Sequence, residues 1–159
     1  MKRENTCCFT GHRNLPAEHL PAIPSLLDDT VAELIGRGIV DFACGGARGF
    51  DTLAAQSVLR ARAACPFLRL LLILPCRDQT RGWPPEDAAV YVDILAQADA
   101  VSYVADRYRP GCMQERNRRL VDESSWCVSW LTRQAGGTAY TVSYAHRQGL
   151  AIRNLPDRL

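Results

Sequence analysis

Short apolar runs and longer amphipathic stretches alternate along the chain, with Gly or Pro at many of the joins. Thr6-Cys7-Cys8-Phe9-Thr10, stopped by Gly11, reads as a first strand. Ile23, Leu27, Val31, Leu34 and Ile35 then line one face of a helix that Gly36 and Gly38 terminate. Residues 39–44 read as a second strand. After a glycine turn, Phe50, Leu53, Ala54, Val58 and Ala61 recur at helical spacing. The unbroken run Leu70-Leu71-Leu72-Ile73-Leu74, closed by Pro75, is the pattern of a strand buried on both faces. A helix carrying Ala88, Val92 and Leu95 follows Trp83-Pro84-Pro85. Residues 100–104, 126–131 and 151–155 read as three further strands. Helices over about 112–124, and from Gly136 to about Gln148, separate them.

Strands and helices that alternate at these lengths imply a parallel sheet with right-handed crossovers. The expected fold class is therefore α/β: a single Rossmann-like, three-layer domain over residues 1–159, its mainly parallel sheet covered by helices on both faces. No repeat, low-complexity segment or linker interrupts it.

Composition adjusts this picture only slightly. The chain is 47% hydrophobic and 23% charged, as expected of a domain with a substantial core. A net charge of +2 does not argue for a dedicated coat for polyanions but leaves room for a local phosphate pocket. No run approaches the roughly 20 apolar residues that span a bilayer, and no signal peptide is legible, so the expected compartment is the cytoplasm. The seven cysteines show neither a CxxC pair nor zinc spacing with histidine, which points to buried free thiols and no metal. No cofactor is expected.

Open α/β sheets bind ligands beyond the carboxyl ends of their strands. Thr10-Gly11-His12-Arg13, Gly45-Gly46-Ala47-Arg48-Gly49, Arg77-Asp78-Gln79 and Gly136-Gly137-Thr138 should converge there. Glycines let backbone N–H groups approach a ligand, and a following helix adds unpaired donors and a positive dipole end. Gly46 and Gly137 are each expected where bound phosphate meets backbone amides. Arg48 would add a charged hydrogen bond, and Asp51 would cap its helix or accept from a ribose hydroxyl. In the 112–124 helix, Met113, Asn117, Leu120 and Val121 share one face, so Asn117 should point inward or at the crevice rim. Arg116 is expected beside it, on the surface of the ligand-facing first turn. Glu115 and Arg119 read as a solvated i, i+4 pair. His12 fits either a proton-transfer or phosphate role or a loop-capping one. Trp83 fits either base stacking or packing. No GxSxG elbow supports serine catalysis.

Four motifs taken together resemble one family. Cys8-Phe9-Thr10-Gly11-His12-Arg13, Gly45 through Ala55, Gly111-Cys112-Met113 with Arg116-Asn117-Arg118, and Gly136-Gly137-Thr138 are similar, in order, to the YpsA-like branch of the SLOG superfamily. The resemblance runs from about residue 6 to 155. It implies a Rossmann-like fold that binds nucleotides or nucleotide-derived ligands. The superfamily includes LOG-type phosphoribohydrolases, which cleave a base from a nucleoside monophosphate, and DprA, which binds single-stranded DNA. Gly46-Ala47-Arg48-Gly49-Phe50-Asp51 is closer to the DprA pattern. LOG-type enzymes carry PGGxGTxxE; here Ala135-Gly136-Gly137-Thr138-Ala139-Tyr140-Thr141-Val142 lacks the Pro, the second Gly-Thr pair and the Glu.

Three functions follow, in order of preference. The first is a sensor or regulatory module binding a nucleotide or nucleotide-derived phosphate ligand. The second is a nucleotide-processing N-glycosidase, with His12, Asp51 and Glu115 as candidate groups. The third is a weak single-stranded nucleic-acid binder that uses Arg13, Arg48, Arg77, Arg81, Trp83 and Arg116. Self-association into a homo-oligomer stays open, and no membrane partner is expected.

Overall fold

The computed structural model describes residues 2–159. Thr6–Gly11 (β1) is extended because two cores take its alternate side chains: Cys7 and Phe9 enter one, Cys8 the other. Asp41–Cys44 (β2) repeats this, with Phe42 and Cys44 opposite Ala43. Arg69–Leu74 (β3) places Leu70, Leu72 and Leu74 on the first face, Leu71 and Ile73 on the second. Strands apolar on both sides need both sides covered, which is why these three read as continuous apolar runs. Ala100–Tyr103 (β4), Trp126–Trp130 (β5) and Ala151–Asn154 (β6) complete a six-stranded sheet. Its order is β4-β3-β2-β1-β5-β6, and every neighbouring pair is parallel.

Helix placement follows from the strand order. The chain steps outward from β1 to β4 through Ile23–Gly36 (α1), Phe50–Ala64 (α2) and Pro85–Gln97 (α3). These helices contribute Ile23, Leu27, Phe50, Ala54 and Ile94 to the first core. It then crosses back beside β1 through Cys112–Asp122 (α4) and continues through Gly137–Arg147 (α5). A right-handed crossover in the opposite direction puts its helix on the opposite face. Accordingly Leu120, Val121 and Ala145 close the second core.

The expected α/β architecture is present. Element ends move by a few residues: β2 begins at Asp41 and α4 ends at Asp122. Strand ends depend on where a neighbour stops pairing, and that is not written locally. No helix among the described residues is long and apolar enough to cross a membrane. The strand order reverses between β1 and β5, so the loops after these two strands part and leave a crevice.

Candidate functional site

The crevice is framed by the loop that leaves β1. The His12 backbone N–H donates to Trp130 O at 3.3 Å, and its carbonyl accepts from Phe50 N–H at 3.2 Å. Its Nε2 accepts from Thr132 N–H at 3.0 Å. One buried residue thus joins the end of β5, the start of α2 and the loop after β5. Burial and the Arg133 charge push the His12 pKa below its ordinary value. A neutral ring with Nε2 as acceptor satisfies both observations.

The glycine turn before α2 is closely packed. Gly46, at φ +74°, has no room for a side chain: a Cβ would lie 2.5 Å from Leu74 Cδ2 and 3.1 Å from Gln79 Oε1. A Cβ on Gly45 would meet Arg116 Nη1 at 2.7 Å, and one on Gly49 would strike the Arg13 carbonyl. Asp51 reaches back to accept from Ala47 N–H at 3.2 Å, while Thr52 Oγ1 donates to Ala47 O at 3.1 Å. Arg48 turns away, 3.5 Å from Asp87 and over the Trp83 ring.

Arg116 corrects the reading of α4. It is 6% exposed and not a surface residue. Its Nη1 donates to Gly45 O, its Nε to Asn117 Oδ1 at 2.7 Å, and its Nη2 faces Met113 Sδ at 3.8 Å. The guanidinium fills the space beside Gly45, where any larger residue would collide with it. Glu115 and Arg119 do not pair with each other: Glu115 bonds Arg109 at 2.6 Å and Arg119 bonds Glu123 at 3.1 Å. Asn117 lies where expected, with Nδ2 directed at the start of α5, 4.0 Å from a Cβ built on Gly137.

The turn before α5 is open. Nothing lies within 4 Å of a Cβ on Gly136, which sits at φ +97°. The first helical bond runs from Tyr140 N–H to Gly136 O, and no side chain caps this end. The amides of Gly137, Thr138 and Ala139 therefore remain unpaired donors at the positive end of the helix.

These pieces enclose one cavity of about 370 Å³. From β1 and its loop come Thr10, Gly11, His12 and Arg13; Asp51, Arg116 and Asn117 form the floor; Gly136, Gly137 and Thr138 form the far wall. Gly45, Gly46, Arg48 and Gly49 are not in its wall; Ala47 represents their turn. Sequence reasoning missed Asn14, Met113, Arg133 and Ala135, which also line it. Arg133 carried a usable signal, as a cation between a strand end and a glycine turn. The guanidinium groups of Arg13 and Arg133 have no hydrogen-bond or ion-pair partner among the described residues. On the floor, burial pushes the Asp51 carboxyl up to about 6, against the lowering influence of Arg116 and the Ala47 amide. The cavity thus offers anion-binding donors at one end and a carboxyl–guanidinium–amide cluster at the other.

Comparison with known proteins gives one family. The model YpsA, described as the YspA SLOG family, matches residues 7–151. A UPF0398 protein of Bacillus pumilus is 29% identical over 107 residues, 66% of this chain and 58% of that protein. An uncharacterized SPbeta prophage-derived protein, YoqJ, of Bacillus subtilis is 26% identical over 118 residues, covering 67% of this chain and 69% of its own length. The match therefore spans little more than half of the UPF0398 relative. Among solved structures, DNA processing protein A from Helicobacter pylori, reported for its single-stranded DNA binding mode, superposes with a TM-score of 0.68. It covers 99% of this chain and 72% of that one at 18% identity, a likeness of fold.

Proposed function

This chain belongs to the YspA SLOG family, and from that premise we propose that it binds a nucleotide or nucleotide-derived phosphate ligand between β1 and β5, as a sensing module. One observation carries the reading: the unpaired amides at the start of α5 share a 370 Å³ cavity with Arg13 and Arg133, whose guanidinium groups have no partner among the described residues. Helix N-termini and free guanidinium groups are the chemistry that holds phosphate. The volume falls within the roughly 300–1,000 Å³ of small-molecule sites. In this reading the phosphate meets Gly137, Thr138 and Arg133. Asn117 and Asp51 face the sugar, where a carboxylate accepts hydroxyl hydrogens. The phosphate stays away from the turn before α2, whose Ala47 amide is already taken by Asp51.

Base cleavage is the weaker reading. Asp51 is the one carboxyl in the cavity wall among the described residues, and residues 139–142 supply none beside the α5 turn. Of the other candidates, Glu115 lies outside the wall and His12 Nε2 is engaged. A strand-binding reading draws support from the Helicobacter pylori protein of the same fold, reported to bind single-stranded DNA.

A thermal-shift series with mono-, di- and cyclic nucleotides and ADP-ribose tests the proposal. A ligand at about 100 times its Kd adds roughly 2.7 kcal/mol, or about 5–10 °C for a chain of this size. Flat responses at millimolar ligand would overturn it. Rapid base release that Asp51→Asn abolishes would put the hydrolase reading in its place.

A further inference from the structure

A second cavity of about 360 Å³ adjoins the first, with Arg13 and Met113 in both walls. Its other side is built by the loops that follow β3 and β4. Those loops are pinned together: Arg77 N–H donates to Asp106 O at 3.1 Å, and Tyr108 N–H donates to Asp78 Oδ1 at 2.9 Å. Two aromatic rings stand in the wall. Trp83 is held edge-on against Tyr91, while Tyr108 is 61% exposed. Arg81 lies in the same wall, and its guanidinium, like that of Arg13, has no partner among the described residues. Gln79 Oε1 and Arg48 Nε, from two further lining residues, are buried without a hydrogen-bond partner.

The distribution of charge reinforces this geometry. Most arginines elsewhere are tied to carboxylates or carbonyls, as Arg60 is to Asp28 and Arg153 to Glu33. Among the described residues, the guanidinium groups of Arg13, Arg81, Arg107 and Arg133 have no hydrogen-bond or ion-pair partner of any kind, and each follows the carboxyl end of a strand. Free guanidinium groups therefore gather at one edge of the sheet, and those of Arg13, Arg81 and Arg133 belong to residues lining the two cavities.

Resting on the nucleotide reading of the first cavity, we infer that the cavity walled by Trp83, Tyr108 and Arg81 takes a second nucleoside unit, joined through a phosphate bridge at Arg13 to the unit between β1 and β5. The exposed ring supplies a stacking face that any base fits. Arg13, at the seam of the two cavities, supplies the cation for the bridge. The chemistry recognised is a phosphate-linked pair of nucleosides, from either a free dinucleotide or a segment of single-stranded DNA.

Calorimetric titration of the wild type and of R81A/Y108A, with a 5′-phosphorylated mononucleotide, the matching dinucleotide and a six-nucleotide single strand, tests this. Both substituted side chains are exposed and free of partners among the described residues, so the variant should keep the wild-type melting temperature. The expected result is a dinucleotide at least tenfold tighter than the mononucleotide, with that gain lost in the variant and mononucleotide affinity unchanged. A hexamer no tighter than the dinucleotide assigns the free dinucleotide as the source; a hexamer at least tenfold tighter, with a steep salt dependence, assigns the strand. Mononucleotide binding without a dinucleotide gain, or a gain that survives R81A/Y108A, overturns the second cavity's role alone. If none of the three binds, the reading of the first cavity fails and takes this inference with it.

Discussion

The two glycine turns look alike in sequence and do opposite things. Before α2, Gly45, Gly46 and Gly49 are small because protein atoms press on them: a guanidinium, a Leu–Gln–Tyr wall and a neighbouring carbonyl. Before α5, Gly136 and Gly137 face open space, with Asn117 the nearest side chain to Gly137. The first turn is a structural joint between β2, α4 and the β1 loop. The second exposes its amides to the cavity. A glycine-rich strand-to-helix turn is thus an anion site only where its amides remain unclaimed.

Four substitutions separate a joint from a cradle, in descending order of effect. Arg116→Ala should break the joint most severely. It strips Asn117 Oδ1 of its donor, leaves Gly45 O with Gln79 Nε2 alone at 3.3 Å, and leaves Asp51 buried without a nearby cation, a loss of roughly 3–5 kcal/mol in urea unfolding. A loss below about 1 kcal/mol would show that the guanidinium is not structural. Gly46→Ala comes next: strain at positive φ and overpacking each cost about 1–2 kcal/mol, so roughly 2–4 kcal/mol should be lost with or without ligand.

Asp51 sharpens the comparison through pH. Its folded pKa of about 6 lies above the ordinary 3.8, so between these values the native state holds a proton that the unfolded chain releases. Stability should therefore fall as pH rises from about 4 to 6 and stay low above. About two pKa steps amount to roughly 3 kcal/mol, and Asp51→Asn should flatten that slope in a pH series of unfolding curves. The smallest effect on the fold belongs to the open turn. Gly137→Val should shift unfolding by no more than about 1 kcal/mol while weakening nucleotide binding at least tenfold. Equal damage to stability and binding would erase the distinction between the turns.

The elements were legible because their apolar periods are long and punctuated. Leu70 through Leu74, closed by Pro75, reads as a doubly covered strand, and β1 and α2 announce themselves in the same way. The members of the cavity from the β1 loop, α4 and the α5 turn were legible too, since strand ends and helix starts place them. What the chain did not show locally is which neighbour each loop atom meets. Gly46 is set by Leu74, Gln79 and Tyr91, far along the sequence. Arg116 reads as a surface residue because its stripe is polar, yet its acceptor, Gly45 O, lies 71 positions away. Arg109 took Glu115 from Arg119 for the same reason: a loop brought a closer cation than the helix did.

The pairing of β1 with β5 also orders events on the ribosome. His12 and Thr132, which close the crevice, are 120 positions apart. At ~5–20 residues per second the second partner emerges roughly 6–24 s after the first. During that interval β1 has β2 on one side and nothing on the other, so Cys7-Cys8-Phe9 presents an apolar, unpaired edge. Such an edge is a template for wrong pairing. The crevice is therefore the last part of the sheet's centre to be assembled and the part most dependent on timely synthesis. Stalled chains ending before β5 should be recovered with holdase chaperones, whereas chains extended beyond β6 should not.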